Sequence, residues 1–98
     1  MDKTVKAYLQ ITLRINAADK GAASSVYDKF QASFLDQIKG AISAELLIGE
    51  EYVQLLHGFE TAEDAKAFLS TELYNNSVLV ALKPLILDNP EIRIFNVA

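Results

Sequence analysis

His57 is the one histidine of this 98-residue sequence. Its ordinary pKa lets it take up and release a proton near neutrality, which no other side chain here does without a large shift. It is therefore the candidate catalytic residue, as general base or proton shuttle. Alternate residues of a strand share a face, so His57 points the same way as Val53, Leu55 and Phe59. The competing reading is a core histidine bonded to a backbone carbonyl, the usual fate of a buried polar group. Phe59, Tyr74, Phe68 and Tyr27 are the expected lining of a substrate pocket, since pockets are mostly apolar with a few polar groups. Tyr74 is expected at the pocket mouth, because Asn75-Asn76-Ser77 can leave a gap beside it. With Phe30 and Phe34, these rings equally suit an ordinary core.

A second polar group comprises Tyr8, Gln10, Thr12, Glu45, Tyr52 and Gln54. Its tyrosines could orient a phenolic or quinone molecule. The stronger reading is a dimer face bearing hydrogen bonds and charge pairs, with Arg14 or Arg93 offsetting Glu45, because a partly buried carboxylate needs such a partner. Other chemistries are excluded. Zero cysteines remove disulfides, thiolate zinc sites and cysteine nucleophiles. A single histidine removes multi-histidine metal centres. The glycines at 21, 40, 49 and 58 form no phosphate-cradling pattern. Nine basic against thirteen acidic residues, net −4, argue against a nucleic-acid partner. No apolar run reaches membrane-spanning length, and Met1-Asp2-Lys3-Thr4 has no apolar leader, so a cytoplasmic protein without membrane contact is expected.

The elements that must hold these groups follow from periodicity. Val5, Ala7, Leu9, Ile11, Leu13 and Ile15 alternate with polar residues and read as a strand with one dry face. Asn16 or Asp19 can cap a helix whose stripe is Ala22, Val26, Phe30, Phe34 and Ile38, widened by Ala23, Tyr27 and Leu35. Gly40 is the expected stop after it. Ile42–Ile48 and Glu51–Phe59 flank Gly49-Glu50, which suits a two-residue type II′ hairpin turn. That loop pairs Leu46 with Val53, Ala44 with Leu55 and Ile42 with His57. Thr61 caps a second helix with Glu63 and Asp64 in its first turn. Asn75-Asn76-Ser77 breaks or kinks it, and Lys83-Pro84 ends it. Ile92–Val97 is a closing strand.

The order β-α-β-β-α-β in one domain, residues 1–98, predicts an α+β ferredoxin-like antiparallel sheet of order 4-1-3-2 with both helices on one face. The helix side takes the dry residues, including Ile92 and Ile94. The other face carries Leu47, Tyr52, Leu56, Phe95 and Val97 beside Tyr8 and Glu45. It is too apolar to stand bare and too polar to be a second core. A homodimer pairing two such faces resolves this.

Gly40-Ala41-Ile42-Ser43-Ala44-Glu45-Leu46-Leu47 resembles the second strand of the antibiotic-biosynthesis monooxygenase (ABM) domain family. The run from Tyr52 to Ala65 is similar to its third strand and the helix start that follows, and Pro90–Val97 to its closing strand. The resemblance spans nearly the whole chain. It implies a dimeric α/β barrel in which two sheets face each other and each subunit keeps a pocket between sheet and helices. Some members are cofactor-independent monooxygenases acting on aromatic polyketides, some degrade haem, and many have no known activity. Where many members carry Trp before the second helix this chain has Phe59, and where many carry His within that helix it has Phe68. The Asn, Trp and His of the haem-degrading branch fall at Ile11, Phe59 and Val78, so haem degradation is not expected. The resemblance thus implies a monooxygenase-like protein acting on or binding a small aromatic or quinone-type molecule without metal or flavin. The alternative is a non-catalytic dimeric ligand-binding or regulatory module; the missing Trp and His favour it, while His57 favours the enzyme.

Overall fold

The long alternation after Val5 becomes the strand around which everything else is arranged. In the computed structural model, which describes residues 4–98, β1 (Ala7–Arg14) is followed by a 3-10 turn (Ala17–Asp19) and α1 (Lys20–Gln37). Then come β2 (Ala41–Ile48), β3 (Tyr52–Phe59), α2 (Ala62–Phe68), a π-helical segment (Leu73–Val78), α3 (Leu79–Leu82), a 3-10 turn (Lys83–Leu85) and β4 (Glu91–Asn96). The sheet order is β2-β3-β1-β4, with every pair antiparallel, as the element order requires. The leader reading falls on residues 1–3, which lie outside the described part. Among the described residues no helix is long and apolar enough to cross a membrane.

Ala7, Leu9, Ile11, Leu13 and Ile15 are all buried, each at most 3% exposed. With Val53, Leu55 and Phe59 of β3 they form the floor on which α1, α2 and the π-helical segment lie. Such burial, at roughly 25 cal/mol per Å² of apolar surface, is the main favourable contribution to the fold.

Several local expectations are corrected. The β2–β3 hairpin pairs Leu46 with Leu55, Ala44 with His57 and Ile48 with Val53, two residues away from the register set by a two-residue loop. The turn is longer than expected: Gly49 N–H donates to the Tyr52 carbonyl (2.8 Å). Gly49 also lacks the positive φ that a type II′ turn demands. Lys20 instead holds this turn, its ammonium donating to the carbonyls of Gly49 and Glu50. A bulge at Ile42 separates the Ala41–Phe59 and Ser43–Gly58 pairs.

Neither Asn16 nor Asp19 caps α1 with its side chain. The buried line of α1 is Ala23, Tyr27 and Phe34, one position on from Ala22, which is exposed along with Leu35. Ile92, expected on the dry side, is 42% exposed. Within the chain Arg14 pairs with Asp88 and Arg93 with Glu91. Thr61 does cap α2, accepting from the Asp64 N–H at 3.1 Å. The chain around Asn75-Asn76-Ser77 widens into the π-helical segment rather than breaking.

Gly40 lies beyond the C-cap residue Ile38 and turns the chain into β2 at φ +77°. A side chain there would meet that left-handed backbone's penalty of about 1–2 kcal/mol, and its Cβ would run into the Asp64 carboxylate. Gly40→Ala should therefore lower stability by about 1–2 kcal/mol, read from the urea midpoint at unchanged slope.

Candidate functional site

Strand parity sends His57 to the helix side, where Tyr27 and Phe34, two turns apart on α1, come down over it. His57 is 3% exposed. Its ring lies 4.5 Å from that of Phe34, 5.5 Å from Phe68 and 5.9 Å from Tyr27, centre to centre. Phe34 meets Phe59 and Phe68 edge-on, at 5.6 and 5.0 Å, and Phe68 meets Tyr74 at 5.3 Å. Offset and edge-on contacts of this kind add to the stabilisation that ring burial already gives.

One hydrogen bond serves the imidazole. The Tyr27 hydroxyl lies 3.1 Å from Nε2, while Nδ1 is buried with no partner among the described residues. Among those residues no backbone carbonyl bonds the imidazole, as the competing reading would have it. Burial lowers the His57 pKa to about 4, so the ring is neutral at physiological pH. Burial pushes the Tyr27 phenol above its usual range, with the Glu45 carboxylate adding to the effect. Tyr74 is raised as well, by burial.

All five residues expected at the pocket, His57, Phe59, Tyr74, Phe68 and Tyr27, thus meet in one cluster. Side chains fill the space between them: Phe59 is 0% exposed, and Tyr74 is 5% exposed rather than standing at a mouth. The open grooves lie elsewhere. One of about 570 Å³ runs between α3 and the approach to β4, lined by Leu79, Lys83, Ile86 and Leu87 among others. A second, of about 270 Å³, lies under the β2–β3 turn. Neither is lined by a member of the cluster. Phe34, which touches His57 most closely, was not among the expected site residues. Its place seven residues after Tyr27 was the available signal.

The expected dimer-face residues occupy the opposite side of the sheet. Leu47, Tyr52 and Phe95 are 41, 47 and 49% exposed; Glu45 is exposed, and Tyr8 and Leu56 are half-buried. Gln10 donates to Gln54 at 3.2 Å, and Gln54 donates to Thr12 at 3.4 Å, across the centre of this face. Among the described residues no group of three or more His, Cys, Asp or Glu side chains is placed to hold a metal ion.

No family model matches the chain, and no curated protein matches it by sequence. Solved structures do match in fold. A monooxygenase of Streptomyces coelicolor in complex with nanaomycin D superposes with a TM-score of 0.80 at 12% identity, over 96% of this chain and 88% of that one. A Caulobacter crescentus protein named for the antibiotic biosynthesis monooxygenases gives 0.79 at 17% identity, over 99 and 93% of the two chains. A Bordetella bronchiseptica protein named in the same way gives 0.80 at 9% identity, over 95 and 98%. The chain has the ABM fold, a ferredoxin-like α+β domain.

The lowered pKa fixes a pH dependence. Between pH 6.5 and about 4 the unfolded chain binds a proton at His57 that the folded chain refuses. The contribution to stability is therefore complete above 6.5 and is lost as the pH falls toward 4, at about 1.4 kcal/mol per pH unit for one proton. Calorimetry of the wild type and His57→Gln should show wild-type stability falling faster across that window. Parallel curves would mean that the folded imidazole titrates near its ordinary value.

Proposed function

We propose that this protein binds a small aromatic, quinone-type molecule between sheet and helices, beside His57, and that its reaction is a cofactor-independent monooxygenation. The observation that carries the reading is the buried Nδ1 of His57, unpartnered inside a cluster of aromatic rings. A polar atom left unmet in the interior is destabilising, and one explanation for such an exception is a ligand group that meets it. The rings around it match a flat aromatic molecule by stacking and edge contacts.

His57 is the catalytic residue of this reading, with Phe59, Tyr74, Phe68 and Tyr27 lining the site. Phe68 and Tyr74 form the wall that gives way to a ligand, since the chain between them is not regular α-helix. The Streptomyces coelicolor monooxygenase of the same fold, in complex with nanaomycin D, supports the ligand class. In the reaction the reduced aromatic substrate itself activates oxygen, and the protein supplies a dry, shaped space and one polar contact. The closed cluster also favours a second reading, in which the protein binds such a molecule without turning it over.

The working unit is a homodimer. Leu47, Tyr52, Phe95 and Val97, each 41–50% exposed, share the sheet face that no helix among the described residues covers. Stable pairs bury about 800 Å² per partner, and the polar Gln10–Gln54–Thr12 row gives the apolar patch a register.

Two measurements test this. Oxygen uptake with naphthalene diols should exceed the protein-free rate and be lost in His57→Phe. Thermal stabilisation without uptake leaves the binding reading, and neither effect overturns both. Light scattering at micromolar concentration should give twice the chain mass for the wild type and a lower mass for Phe95→Glu. A single-chain mass for the wild type would remove the dimer.

A further inference from the structure

The Tyr27–His57 hydrogen bond can be made in two ways, and they present opposite chemistry to a ligand. In one, the Tyr27 hydroxyl donates to Nε2 and the imidazole proton sits on Nδ1. In the other, Nε2–H donates to the Tyr27 oxygen and Nδ1 is a bare lone pair. The surroundings decide between them. Tyr27 is 4% exposed, and His57 is its sole hydrogen-bond partner among the described residues.

Each arrangement uses one donor and one acceptor and leaves one of each unmet, so bond quality decides rather than number. A phenol O–H is a stronger donor than a neutral imidazole N–H. An imidazole nitrogen, basic near neutrality, is a stronger acceptor than a phenol oxygen, so the first arrangement prevails. Burial also keeps the phenol protonated and able to donate. The faces of Phe34 and Phe68 offer Nδ1–H only a weak N–H···π contact.

We infer that Tyr27 is a positioning residue that holds His57 as its Nδ1–H tautomer, so that the site presents a hydrogen-bond donor and takes its aromatic ligand through an acceptor oxygen, a quinone in preference to a hydroquinone. This rests on the second reading above, binding without turnover, and narrows it, because a site that favours the oxidised form does not select the reduced substrate that monooxygenation needs. His57 then acts as a donor to the ligand oxygen, not as the proton acceptor that its residue type first suggests. A quinone carbonyl meets Nδ1–H and brings no hydrogen of its own. A diol brings two hydroxyl hydrogens into a space whose polar atom is already a donor, and sites discriminate strongly when polar groups are left unpaired.

The sole histidine makes the test direct. Nitrogen-15 NMR of the imidazole at pH 7 should show a protonated Nδ1 and an unprotonated Nε2. Tyr27→Phe keeps the ring and removes the hydroxyl, and should abolish that preference. A wild-type spectrum with the proton on Nε2 overturns the inference whatever binds.

Anaerobic titrations with 1,4-naphthoquinone, naphthalene-1,4-diol and naphthalene form the second arm; the chain has no cysteine for a quinone to alkylate. The quinone should bind about tenfold more tightly than naphthalene, the scale of one hydrogen bond, and more tightly than the diol. In Tyr27→Phe the quinone should bind no more tightly than naphthalene does to the same variant. Binding of the diol equal to or tighter than that of the quinone overturns the ligand class. An Nδ1–H tautomer with no binding of any of the three supports the role of Tyr27 and overturns the binding reading itself, so the two failures are told apart.

Discussion

An imidazole enclosed by aromatic rings has few ways to meet its polar demands, and this limit governs the interior of the protein. His57 is buried, and among the described residues the Tyr27 hydroxyl is its one hydrogen-bond partner. That bond has geometric consequences. It ties α1 to β3 at mid-sheet and brings Phe34, two turns further along the helix, onto the imidazole face. The position of Phe34 in turn sets where Phe59 and Phe68 meet it edge-on. Gln31 reinforces the same alignment, donating to the Ala44 carbonyl on β2 at 2.6 Å. The helix therefore sits over the sheet through directional bonds at the centre of its length, with dispersion and apolar burial supplying most of the energy around them.

The fold was legible because its strongest signals concern parity, and parity survives local error. The hairpin slips by two residues from the register of a tight loop, yet Leu46, Val53 and Leu55 keep the helix side and Leu47 and Gln54 the other, since side chains alternate with period two. A slip of one would have inverted the face of every residue in β2. What local pattern could not give was the pull of distant groups. Lys20, far from the turn in sequence, captures the carbonyls of Gly49 and Glu50 and so supports a longer loop than Gly49-Glu50 alone suggests. Asn16 and Asp19 looked like caps by residue type, but the 3-10 turn between them meets the first amides with backbone carbonyls instead.

The site was legible in its members and not in its state. Residue type picked out His57, and parity put it beside Phe59. Whether those rings enclose space or fill it depends on rotamers and on a helix irregularity that periodicity reads only as a gap. Tyr74 shows the difference. Asn75 does not open the chain there; its amide donates to the Leu69 and Thr71 carbonyls at 2.9 and 3.0 Å and closes a wide helical turn. Nor could spacing reveal that Tyr27 reaches Nε2, since that contact joins residues thirty positions apart.

The wide turn at Leu73–Val78 has a further consequence, for how the interior can change over generations. A π-helical turn closes its hydrogen bond one residue later than an α-helical turn, so it carries one residue more. Losing a residue there would turn the side chains on one side of it by about 100° relative to those on the other. A single gained or lost codon, rather than a swap of one side chain for another, is thus the coarse adjustment for how rings pack above His57. Descendants of this chain can vary that packing while the strands beneath keep their alternation.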